Sequence, residues 1–264
     1  MGSSHQIGGM TRAVEVLNAG GAGSLVLICD HASNHLPSPY DQSLGLSEVD
    51  KSAHIAWDPG ALGVARALSE KLDAPLVYTT VSRLVVDCNR EEDRPDLIPC
   101  VSESTQISGN QDLSSEEINS RLELVHRPFH AAIDTLLDQR LKRERPTAVV
   151  SIHTYTPVYK GVKRPWEIGL IADKDRSIAD PVLAELNSQS DLTVGDNEPY
   201  SPADGVYYTI RKHGEDRSLP CLMIEIRNDE VSTANEEARW ADMLAPLLKS
   251  ASDTALKAKG GADA

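Results

Sequence analysis

Three short apolar runs, far apart along the chain, each deliver a residue capable of chemistry. Ser24-Leu25-Val26-Leu27-Ile28-Cys29-Asp30 runs into His31, Ala148-Val149-Val150-Ser151-Ile152 runs into His153, and Cys221-Leu222-Met223-Ile224 carries Glu225 within the run. Short apolar runs bounded by polar residues are the pattern of strands buried on both faces of a parallel sheet. Pro75 to Thr80 and Ile168 to Asp173 read as further strands, and Leu84 to Asp87 as a short strand or strand end. Helical periodicity marks 59–73, with Pro59 suited to a first helical position. Ser114-x-x-Glu117 and Thr233-x-x-Glu236 are capping-box patterns. They open helices reaching about Arg143 and about residue 257. Pro128 predicts a kink in the first. A further helix is expected over 178–189, and loops over 91–112, 154–165 and 195–205.

Strands alternating with helices imply an α/β fold: a mixed, mostly parallel sheet with helices on both faces. In such sheets ligands bind outside the carboxyl ends of the strands. His31, His153 and Glu225 are therefore candidates for one sheet edge. The 264 residues suit one large domain, and no internal repeat or dividing linker is visible, so 11–264 reads as a single domain. The first ten residues, MGSSHQIGGM, lack an apolar signal core and read as the remnant of an expression tag, His5 included.

Charge narrows the partners. A formal net charge of -14 argues against general nucleic-acid binding, which needs a basic stripe. It leaves room for an anionic substrate in a local pocket of Arg. No run reaches the roughly 18 apolar residues of a membrane span. Cys29, Cys88, Cys100 and Cys221 form no CxxC pair and read as reduced thiols, which points to a cytoplasmic setting.

Six constellations carry the chemistry, and each has a plainer reading. In Asp30-His31-Ala32-Ser33-Asn34-His35 the small residues after His31 allow close approach of a metal or substrate, while His31 could equally bond loop backbone. His35 reads as structural. Asp58, before Pro59, is either the cap of the following helix or a metal-binding carboxylate. Ser82 to Arg90 places Arg83, Asp87, Asn89 and Arg90 around one short apolar run, as a carboxylate clamp or as a solvated strand end with an Arg-Asp pair. His126 and His130 share a helical face, without the acidic residue of an HExxH zinc helix, and read as buried residues near the kink or as supports of a site. His153 ends a strand, which suits a ligand. Glu225, flanked by Ile224 and Ile226, must have a partner: Arg227, a metal or a reacting water.

Taken together, eight stretches resemble the N-formylglutamate amidohydrolase family. They are DHASNHLP (30–37), HIAWDPGA (54–61), SRLVVDCNR (82–90), HRPFH (126–130), SIHTYTP (151–157), RPWEIGL (164–170), NEPYSPADGVYYT (197–209) and IEIRND (224–229). The resemblance implies a three-layer, phosphorylase/hydrolase-like fold related to zinc carboxypeptidases and aspartoacylases. It also implies one zinc ion on His31, Asp58 and His153, with Asn34 the rival third position. Glu225 would then be the general base and proton donor. Arg83 would polarise the carbonyl, and Asn89 and Arg90 would hold the substrate carboxylate. Glu167 departs from the His associated with this position in relatives. The implied reaction is hydrolysis of an N-acyl, foremost N-formyl, amino acid. A deacylase for another N-acyl amino acid and a non-catalytic binding protein on the same fold are the alternatives.

Overall fold

The computed structural model describes residues 12–188 and 191–262, so the proposed tag remnant lies outside the described residues. The chain opens with β1 (Val14–Leu17) and β2 (Leu25–Cys29), followed by the short helices α1 (Tyr40–Ser43) and α2 (Glu48–Ser52). Then come α3 (Ala61–Leu72), β3 (Leu76–Thr79) and a hairpin of β4 (Val101–Ser102) and β5 (Thr105–Gln106). α4 (Ser115–Arg121) and α5 (Arg127–Lys142) lead to β6 (Ala148–Tyr155), a second hairpin of β7 (Val158–Tyr159) and β8 (Val162–Lys163), and β9 (Ile168–Ile171). The chain finishes with α6 (Ala179–Ser188), β10 (Val194–Asp196), α7 (Tyr208–His213), β11 (Cys221–Arg227) and α8 (Ala234–Ala262).

Seven strands form one sheet in the order β1-β3-β2-β6-β11-β9-β10. β2 pairs in parallel with β3 and β6, β6 with β11, and β9 with β10, while β1–β3 and β9–β11 are antiparallel. This is the mixed, mostly parallel α/β sheet that the alternation of elements predicts. β2 shows why its run is apolar throughout. Leu25, Leu27 and Cys29 pack against one helical layer with Val64 and Leu68 of α3 and Trp240 and Leu244 of α8. Val26 and Ile28 face the other way, toward Phe129, Ile133 and Leu137 of α5. Three layers result. Removing a side chain as fully buried as Phe129 typically costs about 3–5 kcal/mol.

Local expectations fail where tertiary contacts replace a ladder. Leu84 and Val85 lie in a turn and Val86 and Asp87 in irregular backbone, so this segment is not a strand. The Ser82 hydroxyl accepts from the Leu84 N–H at 3.2 Å and the Ser82 carbonyl accepts from the Val85 N–H at 3.0 Å. Other backbone groups are met by distant partners, the Leu84 carbonyl accepting from the Asn110 amide at 2.9 Å, the Val85 carbonyl from Arg121 at 3.2 Å and the Asp87 N–H donating to the Leu97 carbonyl at 2.8 Å, while Leu84, Val85 and Val86 are buried by packing. The kink expected at Pro128 is taken up by a π turn over Leu122–His126, which widens the helix before a residue that cannot donate. Ser114 caps α4 by accepting from Glu117 N–H at 3.1 Å. The expected loop over 154–165 contains the β7–β8 hairpin, and the one over 195–205 begins inside β10.

Candidate metal centre and its cavity

Strand register assembles the site. Glu225 pairs with His153 across β11 and β6, and Ile28 pairs with Ser151 across β2 and β6. With a period of two, Asp30 comes level with His153. Asp30, His153 and Glu225 thus stand in one row at the carboxyl ends of three adjacent parallel strands. His31 follows in the loop, its ring edge-on to His153 at a centroid distance of 5.1 Å.

Asp58 completes the cluster. It does not cap α3: the residue at the helix entrance is Gly60, left-handed at φ 84, where a Cβ would lie 2.5 Å from Val231 Cγ2. The carboxylate is therefore free to turn inward. Its Oδ2 lies 2.9 Å from His153 Nδ1 and 3.2 Å from His31 Nδ1. One atom from each of the three residues falls within 4.8 Å of the others, and all three residues are buried. Asn34 lies elsewhere, its amide donating to the Lys51 carbonyl at 3.0 Å.

The far nitrogen of each imidazole meets a second carboxylate. His31 Nε2 is 2.7 Å from Asp87 Oδ1, and His153 Nε2 is 3.2 Å from Asp30 Oδ2. Arg83 spans the group, with Nη2 2.5 Å from Asp87 Oδ2 and Nη1 3.5 Å from Asp58 Oδ1. Burial and Arg83 oppose charge on His31, but Asp87 and Asp58 outweigh them and raise its pKa. His153 is raised further, because Asp30 and Asp58 overcome its burial. Burial works against ionised Asp58 and Asp87 too, yet the opposite charges of His31, Arg83 and their neighbours hold both carboxyls low.

This donor set suits a metal ion. Two imidazole nitrogens and one carboxylate oxygen converge, which is the three-ligand arrangement that leaves a fourth position open. Each imidazole is also backed by a carboxylate through its other nitrogen, the arrangement that orients metal-binding histidines. Glu225 sits beside them at 4% exposure, its Oε2 without a hydrogen-bond partner among the described residues. Burial is the main cause that raises its pKa to about 7, with His153 pulling the other way.

A cavity of about 730 Å³ opens onto the cluster and is lined by Arg83, Asn89, Arg90 and Glu225 among others. Arg90 donates through Nε to Asp96 at 2.8 Å. Asn89 lines the cavity, but its amide is committed: it donates to Val206 O at 2.5 Å and accepts from Thr209 N–H at 3.0 Å. Glu167 lies away from the cavity, 3.4 Å from Arg227 and accepting from Thr193 N–H at 2.7 Å. His126 and His130 hold the backbone of the arginine segment, through the Arg90 carbonyl at 2.9 Å and the Cys88 carbonyl at 3.0 Å. The four cysteines are free. Burial keeps the thiols of Cys29 and Cys88 well above their ordinary pKa and pushes Cys221 up to about 12, which disfavours the thiolate each would need as a nucleophile.

Sequence reasoning assigned no role to Asp30 or Asp87 as supports, or to the cavity-lining Arg164, Tyr155, Tyr159 and Tyr200. The one signal for the two aspartates was a charged residue set against an apolar run at each position. Among the described residues no helix is long and apolar enough to cross a membrane.

The sequence profile described as N-formylglutamate amidohydrolase matches residues 23–231. The crystal structure of a gene product from Agrobacterium tumefaciens is similar at 44% identity and a TM-score of 0.89, covering 91% of this chain and 95% of that one. An N-formylglutamate amidohydrolase from Ralstonia eutropha JMP134 is 20% identical with a TM-score of 0.69, covering 92% of this chain and 98% of that one, a likeness of fold. No curated protein matches the sequence.

Proposed function

The chain belongs to the N-formylglutamate amidohydrolase family, and from that premise we propose that it hydrolyses the amide bond of an N-acyl amino acid with a free carboxylate, N-formylglutamate foremost. The observation that carries this reading is Glu225, a buried carboxylate with one unpartnered oxygen beside a His-Asp-His cluster in a cavity. Residues 11–264 are read as one catalytic domain, and the free cysteines support a reducing, cytoplasmic setting.

Zinc is the metal assigned to His31, Asp58 and His153, where it would supply Lewis acidity and lower the pKa of water from 15.7 toward ~7. Glu225 acts as the base. Its raised pKa poises it to take a proton from the attacking water and return it to the leaving amine. Arg83 brings positive charge to the wall where the tetrahedral oxyanion develops, and preorganised charge of this kind is commonly the largest catalytic contribution. Arg90 holds the substrate carboxylate. Asn89 fixes the cavity wall beside it through Val206 and Thr209. Asp30 and Asp87 orient the two imidazoles.

The test is an assay of zinc-loaded and chelator-stripped protein on N-formyl-, N-acetyl- and N-succinylglutamate, reading release of glutamate. Zinc-dependent release, fastest from the formyl compound, is expected. Absence of release from all three would overturn the reading, and a preference for a larger acyl group would reassign the substrate.

A further inference from the structure

The chain carries a formal charge of -14, and the cations nearest the reaction centre are already engaged. Arg83 lies against Asp58 and Asp87, and Arg90 against Asp96. Arg164 differs. It also lines the cavity, yet among the described residues no carboxylate lies within ion-pair distance of it. Its guanidinium carbon lies over three tyrosine rings instead, at 4.6 Å from the Tyr159 centroid, 4.8 Å from Tyr200 and 5.5 Å from Tyr155. Nη1 donates to the Tyr200 hydroxyl at 2.9 Å.

Stacking on rings holds a guanidinium by its faces and keeps its charge. The donors lie in the plane, at the edge, and among the described residues only one hydrogen bond of the side chain is taken. A rigidly held fork of N–H donors is a bidentate receptor for a carboxylate.

The cage is built next to the reaction centre. Tyr155 follows His153 by two positions along β6, so both side chains share a face. Tyr200 is brought in by the turn at Glu198 and Pro199, which packs on Gly169. A Cβ at Gly169 would lie 1.8 Å from the Glu198 carbonyl oxygen, so only glycine admits the turn. Gly169 is in turn the register partner of Glu225. Arg164 thus stands one tyrosine away from the proposed base.

We propose that Arg164, in its tyrosine cage, is the specificity-determining residue that receives a second, side-chain carboxylate of the substrate. The site then selects N-acyl amino acids with an acidic side chain, Arg90 taking the α-carboxylate and Arg164 the distal one. The inference rests on the hydrolase reading above. The competing role is structural: the stacked guanidinium pins the β7–β8 hairpin, with the Arg164 N–H donating to the Pro157 carbonyl at 2.9 Å.

N-formylglutamate and N-formylglutamine are nearly equal in size and differ in side-chain charge, so the ratio of their kcat/KM values reads the subsite. The wild type is expected to favour the acid. Arg164→Met should collapse that ratio by roughly 10- to 100-fold, the loss of a hydrogen-bonded charge partner, and mainly through KM. Arg164→Lys should restore part of it. Titration calorimetry with L-glutamate and L-glutamine supplies a readout that needs no turnover: the variant should weaken glutamate binding selectively. An unchanged ratio, or an equal loss on both substrates with equal loss of both amino acids, would overturn the proposal. If the zinc-loaded wild type hydrolyses neither compound while glutamate binding still depends on Arg164, the hydrolase reading fails and the subsite stands.

Discussion

His153 and Glu225 are register partners on neighbouring parallel strands, so an imidazole and a carboxylate stand side by side on one face of the sheet. That relationship separates two jobs within one row. His153 reaches Asp58 with Nδ1, whereas Glu225 keeps an oxygen unpartnered.

Glu225→Gln preserves size and removes the base. Turnover should fall by about 10²–10⁴-fold, the usual contribution of general acid–base catalysis. Zinc content, read by elemental analysis, should stay at the wild-type level. Substantial residual activity with full metal would assign the proton transfer to another group.

His153→Ala removes one of the three converging donors. Purified protein should lose most of its bound zinc. Because the substitution also leaves Asp30 buried without its imidazole partner and Asp58 with His31 as its remaining imidazole, thermal stability should fall as well. An unaltered zinc stoichiometry would count against the ligand set.

Asp87→Asn should weaken zinc binding by about 10–100-fold in a chelator competition, the range seen when a carboxylate behind a metal-binding His is lost. Asp30→Asn should act likewise through His153. Equal affinity in both variants and the wild type would mean that these carboxylates do not tune the imidazoles.

Acid should unfold the protein through a pair of histidines away from the metal cluster. His130 shares a proton with His213 across 2.8 Å and also bonds the Cys88 carbonyl, so both rings are held largely neutral in the interior. Burial lowers the pKa of His213 to about 4, against the pull of Asp134, and lowers that of His130 well below its ordinary value. Both folded values lie below the unfolded value of 6.5, so the unfolded chain binds protons first as the pH drops. The stability contributed by these two rings is therefore complete above about pH 6.5 and is lost from there toward pH 4, by up to roughly 1.4 kcal/mol per pH unit for each ring. Urea midpoints at pH 7 and pH 5 measure the slope. His213→Gln should reduce it, and an equal slope in that variant would remove His213 from the account.

The apolar runs determined the strands that matter. β2, β6 and β11 lie where short, wholly apolar segments predict strands buried on both faces, because a central parallel strand has no wet side to mark with polar residues. The capping patterns at Ser114 and Thr233 located helix starts, because those bonds are made within four residues. His31, His153 and Glu225 were legible as strand-end chemistry for the same local reason.

What only the tertiary structure decided is which side chains meet. That Asp58 and not Asn34 reaches both imidazoles depends on Gly60 taking the helix entrance against Val231, a contact across about 170 residues of chain. The pairing of Asp30 with His153 and of Asp87 with His31 depends on strand order and on the turn that replaced a strand at Leu84. The cage around Arg164 depends on Gly169 admitting a distant turn. Such convergence is set by register and by close packing between segments remote in sequence, and neither leaves a periodic mark on any one of them.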